Sequence, residues 1–103
     1  MTKQHRPGAD EPAAVGIAWY DREQWRRLEQ IVANRSELDD TFEQWEQGAL
    51  RAVRNFEAAG LRVEKVPVQV EALMTWCRSE SLPIDGPSRA KYVTYVLKGR
   101  QAK

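Results

Sequence analysis

The stretch from residue 41 to residue 66 constrains the fold more than any other part of the sequence. Six apolar residues recur within it at steps of three and four: Phe42, Trp45, Ala49, Ala52, Val53 and Phe56. This spacing places all six on one face of a helix. We therefore expect this row to form the inner wall onto which the other segments pack.

Both ends of the predicted helix carry local signals. Thr41 with Gln44 matches a capping box, in which a side-chain oxygen accepts from a backbone amide and the glutamine reaches back. Gly60 suits the left-handed residue that ends many helices. Gly48 interrupts the helix at the border of its apolar face, where it is either a tolerated glycine or a point of close approach by another element.

The remaining residues predict one earlier strand and three further helices. Asp21 and Gln24 repeat the capping pattern, and Tyr20 with Trp25 has the spacing of a hydrophobic staple. In order, the predicted elements are a strand at 14–20, a helix ending at Asn34, the helix and strand of 41–66, a helix at 69–79 and a last helix between residues 85 and 99.

The predicted fold is a small α+β domain with the order β-α-α-β-α-α. Residues 14–99 form the globular part, 1–13 a disordered tail and 100–103 a frayed end. The connection between the two strands is long enough for a parallel pair, which we favour, while an antiparallel pair stays open. Two strands leave unpaired edges, which gives a physical case for a second copy that extends the sheet.

The composition of the chain limits the classes of function that can be expected. The chain has 103 residues with 16 basic against 15 acidic, so its total charge gives no reason to expect nucleic acid or an anionic membrane as a partner. Cys77 is the only cysteine and His5 is the only histidine in the sequence. A cysteine-rich zinc site is therefore excluded, and a lone cysteine favours a reducing, cytoplasmic setting. No run of apolar residues is long enough to span a membrane. We expect no cofactor.

No residues form a recognisable catalytic or metal-binding constellation. The only histidine lies in the predicted tail, so Cys77 lacks a positioned base, and its apolar helical position is typical of a core residue. Three carboxylates lie close together at the predicted start of a helix, those of Asp39, Asp40 and Glu43. Favourable interaction with the exposed amides of the helix start explains this cluster better than a metal site does. The chain is therefore not expected to be an enzyme, although a small-ligand enzyme without a known motif, with a site lined by Tyr20, Tyr92, Tyr95 or arginines, stays open.

Aromatic residues give the leading functional hypothesis, a domain that binds a protein partner or a second copy of itself. Three of the four tryptophans fall in predicted core positions, whereas Trp76 lies beside the apolar stripe of its helix and serves either a binding groove or half-buried packing. We predict that Trp76, Tyr92 and Tyr95 contribute to the partner-binding surface.

The alternative hypothesis is weak nucleic-acid binding through the last helix. From Gly86 onward the sequence contains basic residues and no acidic ones. Arg89, Lys91 and Lys98 are the predicted phosphate contacts. Against this, lysines near the end of a helix are favoured by its dipole, and no known nucleic-acid-binding motif is present.

Overall fold

The computed structural model describes residues 14–101, so the predicted tail of residues 1–13 lies outside the described part, as do residues 102 and 103. The elements in order are β1 (Ala14–Trp19), α1 (Arg22–Ile31), a 3₁₀ turn (Arg35–Glu37), α2 (Phe42–Ala58), β2 (Arg62–Pro67), α3 (Val70–Ser79) and α4 (Gly86–Gln101). The predicted order and the α+β class are confirmed. Helix α4 runs two residues past Gly99, and Arg100 in this extension pairs with Glu64 of β2 at 3.5 Å.

The two strands pair in parallel, as favoured from the sequence, with a register that runs from Ala14 opposite Arg62 to Trp19 opposite Pro67. One face of the sheet packs on α4, because a β-carbon added at Gly16 would lie within 2.7 Å of side-chain atoms of that helix. The other face packs on α2, where the rings of Trp19 and Trp45 lie 5.3 Å apart. The sheet is thus the middle of three layers.

The predicted helix caps are formed by short hydrogen bonds. Oδ1 of Asp21 accepts from the Gln24 amide at 2.7 Å, and Oγ1 of Thr41 accepts from the Gln44 amide at 3.1 Å. Gly60 adopts a positive φ of 87°. The backbone bonds around Gly60 complete a Schellman ending for α2, which directs the chain into β2.

Two predicted details of α1 differ in the structure. The side chain of Gln24 does not return to its own helix; its Oε1 accepts from the Val70 amide at 2.7 Å and so caps the start of α3. The helix ends at Ile31, before Asn34, whose side chain instead accepts from the Ser36 amide at 3.1 Å and begins the 3₁₀ turn. The partner of Gln24 lies 46 residues away in sequence, where spacing does not reveal it, whereas Asn34 bonds locally to the residue two positions on.

The centre of the core lies among α1, α3 and α4 rather than along α2. Its buried members are Tyr20, Trp25, Leu28, Val68, Val70, Leu73, Cys77 and Tyr92. Of the row predicted to form the inner wall, only Ala49 is buried, and Phe56 is 36% exposed. The prediction that this row is the inner wall is therefore wrong at Phe56, whereas Ala52 and Val53 are half-buried.

Phe42 and Trp45, at the start of that row, do pack against the core. The rings of Trp25 and Trp45 stack 5.6 Å apart, and Phe42 lies 6.5 Å from Trp25. Tyr20 and Trp25, the predicted staple, lie 6.0 Å apart. Aromatic contacts thus join the first turn of α2 to α1 and to the end of β1.

Candidate partner-binding surface

The three residues predicted to bind a partner lie together at the contact between α3 and α4. The ring of Trp76 is 5.5 Å from that of Tyr92 and 5.6 Å from that of Tyr95, and the two tyrosine rings are 6.2 Å apart. They meet because Tyr92 and Tyr95 are three residues apart on one side of α4, which faces α3 at Trp76. With Ala72, Thr75 and Ser79 they line a concavity of about 460 Å³, here called the aromatic groove.

The three rings differ in exposure. Tyr95 is 57% exposed and forms the outer rim of the aromatic groove, whereas Tyr92 is only 8% exposed and forms its floor. Trp76 is half-buried between them. Burial raises the pKa of the Tyr92 hydroxyl above its usual value, with smaller contributions from Tyr95 and Cys77, so this group stays neutral at physiological pH. The groove therefore combines an uncharged aromatic floor with one ring that reaches into solvent.

The predicted phosphate contacts do not form one surface. Lys91 and Lys98 are exposed and lie seven residues apart, so they share a side of α4 with Tyr95 between them. Arg89 is rotated by about 200° from Lys91 around the helix. It is half-buried, its Nη1 is buried, and its charge acts on the Tyr20 hydroxyl. Only two of the three predicted residues are thus available for an exposed basic stripe.

Cys77 is fully buried in the core between α3 and α4. Burial raises the pKa of its thiol, the carboxylate of Asp85 raises it further, and the charge of Arg89 opposes them. A buried neutral thiol is a poor nucleophile. The position supports the interpretation of Cys77 as a small core residue.

Of the three acidic residues at the start of α2, Glu43 is engaged in local contacts. Glu43 forms an ion pair with Arg22 at 2.5 Å, and its pKa is lowered first by a hydrogen bond from its own backbone amide and then by Arg22. Within residues 14–101, no three histidine, cysteine or acidic side chains are grouped so that they could hold a metal ion. Among the helices between residues 14 and 101, none combines the length with the apolar composition that a bilayer span requires.

Comparisons with protein-family models, with curated proteins and with solved structures find no match. The functional argument therefore depends on the geometry of the chain itself.

Sequence reasoning missed the position of Arg89 next to Tyr20. The two residues are distant in sequence, and a basic residue near the start of α4 is typical of a solvated position. A signal was present in the glycine of the first strand, because Gly16 allows α4 to approach β1 closely and so brings the start of that helix to the end of the strand.

Proposed function

We propose that this chain is a non-catalytic protein-interaction domain that binds its partner through the aromatic groove. The observation that carries the proposal is the exposure of Tyr95, which is 57% exposed although its ring packs against Trp76. Tyrosine and tryptophan dominate binding energy at interfaces, because they bury a large area and lose few rotamers. Tyr95 is one of only two large hydrophobic side chains exposed in residues 14–101.

The surroundings of the aromatic groove indicate the chemistry of the partner. Lys91 and Lys98 flank Tyr95 on the exposed side of α4, while Thr75 and Ser79 place hydroxyl groups along the opposite wall. A partner segment with an apolar centre and acidic flanks complements this arrangement. The proposal includes a reducing, cytoplasmic setting, which suits a single buried thiol.

Replacing Tyr95 with serine should abolish partner binding and leave the fold intact, because the ring is mostly exposed. A random peptide library selected against the wild-type protein should yield sequences whose affinity falls about tenfold to a hundredfold for Tyr95→Ser. Phe56→Ser is the matched control, since Phe56 is the other exposed large hydrophobic residue and lies on α2. This control should bind the selected peptides as the wild type does.

Sedimentation velocity at increasing concentration tests whether the partner is a second copy. In that case the wild type and Phe56→Ser self-associate, and Tyr95→Ser stays monomeric. A protein that is monomeric at all concentrations and also selects no peptide dependent on Tyr95 would contradict the proposal in both forms.

A second candidate function, single-stranded nucleic-acid binding, is favoured by the position of Tyr95 between two exposed lysines. Aromatic rings stack on bases while lysines contact phosphates. Charge reversal by Lys91→Glu together with Lys98→Glu should then abolish binding of oligothymidylate, measured by fluorescence anisotropy at low salt. Binding that is absent in the wild type, or unchanged by the double substitution, rejects this candidate.

A further inference from the structure

The outer edge of β1 is the edge that is not paired with β2. The N–H and C=O groups of successive residues in a strand point to opposite edges. The Val68 amide donates to the Trp19 carbonyl at 3.0 Å, so the main chain of Trp19 faces β2. Gly16 and Ala18 lie an odd number of positions before Trp19, and their main-chain groups therefore point away from β2. No backbone or side-chain group within residues 14–101 is hydrogen-bonded to these outward groups.

A concavity of about 310 Å³ lies along this edge and includes Gly16 and Ala18 in its lining. One wall comes from Ala90 and Val93 of α4, and Trp45 of α2 lies on the other side. Helices α2 and α4 cover opposite faces of the sheet, so a concavity that touches both opens at the unpaired edge. Gly16 is half-buried, and because a glycine has no side chain, all of its accessible surface belongs to the main chain. The main chain of β1 is thus accessible along this concavity, here called the edge groove.

The two outer edges of the sheet differ in their protection against a further strand. On the outer edge of β2, Pro67 has no N–H to offer, and the side chain of Lys65 is exposed. Proline and lysine are the residues with which natural sheets prevent pairing at an edge. The β1 edge has neither, because residues 14–20 contain no charged residue and no proline. The sequence therefore protects the edge of β2 and leaves that of β1 able to pair.

A second copy of the chain does not fit the edge groove. If β1 paired with β1 of a second copy, two-fold symmetry would place both α4 helices on the same face of a four-stranded sheet. Neighbouring strands lie about 4.8 Å apart, whereas packed helices need about 8 to 10 Å between their axes. Helix α4 packs directly on β1 at Gly16 and extends beyond the strand as the wall formed by Ala90 and Val93, so the two helices would collide. The edge groove therefore suits a segment that brings no helix of its own.

We propose that the edge groove binds an extended, uncharged segment of a partner protein, which adds a third strand beside β1. The main chain of this segment exchanges hydrogen bonds with Gly16 and Ala18, since an extended backbone is the natural complement of a strand edge. Its alternate side chains lie toward Ala90 on one side and toward Trp45 on the other, which favours apolar residues. The one charged residue of the lining, Arg89, acts on Tyr20, beyond the end of the strand.

The first experiment uses a short peptide of alternating valine and threonine, acetylated at one end and amidated at the other. It should give a measurable isotherm in calorimetry and change the tryptophan fluorescence, since Trp45 borders the edge groove. N-methylation of every second residue leaves one edge of the peptide able to donate and should preserve binding. N-methylation of every residue removes all backbone donors and should abolish it. Contact through side chains alone would not distinguish these two methylated peptides.

Variants of the protein then test the edge itself. Ala18→Pro removes an outward N–H and places a ring on the edge without breaking the pairing with β2, so it should weaken peptide binding about tenfold or more. Ala90→Lys puts a long charged side chain on the exposed wall of the edge groove and should have a similar effect without entering the core. Ala58→Lys is the matched control, since it makes the same change at an exposed position of α2 outside the groove and should bind as the wild type does.

Each of four results would overturn the proposal. The first is no binding of the unmethylated peptide at millimolar concentration, and the second is equal binding of the two methylated peptides. The third is a loss of affinity in Tyr95→Ser as large as that in Ala90→Lys, which would place the peptide in the aromatic groove. The fourth is self-association of the wild type that Ala18→Pro abolishes, which would assign the edge to a second copy. Because the edge groove and the aromatic groove share no lining residue, failure here leaves the proposed function untouched.

Discussion

Replacing Leu73 with alanine is expected to lower the free energy of unfolding by about 2 to 5 kcal/mol. Leu73 is 1% exposed and lies in the core between the helices, so truncation removes buried apolar contacts and leaves a cavity. Urea denaturation followed by tryptophan fluorescence measures the change, with an unaltered slope as the sign that the transition remains two-state.

Leu50→Ala on α2 is the matched control, because it makes the same chemical change at a half-buried position. We expect its effect to be clearly smaller, since its surroundings are partly solvent already. Equal losses for the two variants would contradict the finding that the core is centred on α3 and its neighbours.

Replacing Gly16 with valine is expected to destabilise the protein by about 1 to 3 kcal/mol. A β-carbon at this position would lie 2.5 Å from Cδ1 of Leu97 and 2.7 Å from Cγ1 of Val93. Val93 is buried and its branched side chain has few rotamers, so α4 must move away from β1 to make room. Urea denaturation followed by tryptophan fluorescence measures this loss in the free energy of unfolding.

A partner substitution and a control sharpen this test. Leu97→Ala should recover part of the stability lost by Gly16→Val, because it removes the nearest atoms. Gly48→Ala should raise the free energy of unfolding by about 0.5 to 1 kcal/mol, since this glycine lies inside α2 with nothing within 4 Å of the added carbon. A stabilising effect of Gly16→Val would show that α4 does not pack tightly on the strand.

The order of the elements and both ends of α2 were predictable because they depend on neighbours in sequence. Thr41 and Gly60 act within one turn of the helix that they delimit, so a short window of residues contains the whole interaction. The location of the core was not predictable in the same way. Regular spacing shows that α2 has an apolar face, but the extent to which that face is covered depends on elements distant in sequence.

The candidate site was likewise predictable only where it depends on residues close in sequence. The spacing of Tyr92 and Tyr95 places them on one side of α4, and Trp76 is half-buried, a position compatible with both of the roles that the sequence left open for it. The opposite roles of Gly16 and Gly48 were not predictable, because each depends on a distant helix that packs or fails to pack there. The inward position of Arg89 follows from the same tertiary contact. The assignment of the aromatic residues to partner binding stays a prediction.

The parallel pairing of β1 with β2 has a consequence for synthesis on the ribosome. Ala14 pairs with Arg62, so the first strand leaves the ribosome before its partner does. During this interval the apolar segment from Ala14 to Trp19 has no strand beside it, and only local helices can form. Any delay in translating β2 therefore prolongs the time in which a chaperone, or another nascent chain, meets that segment first.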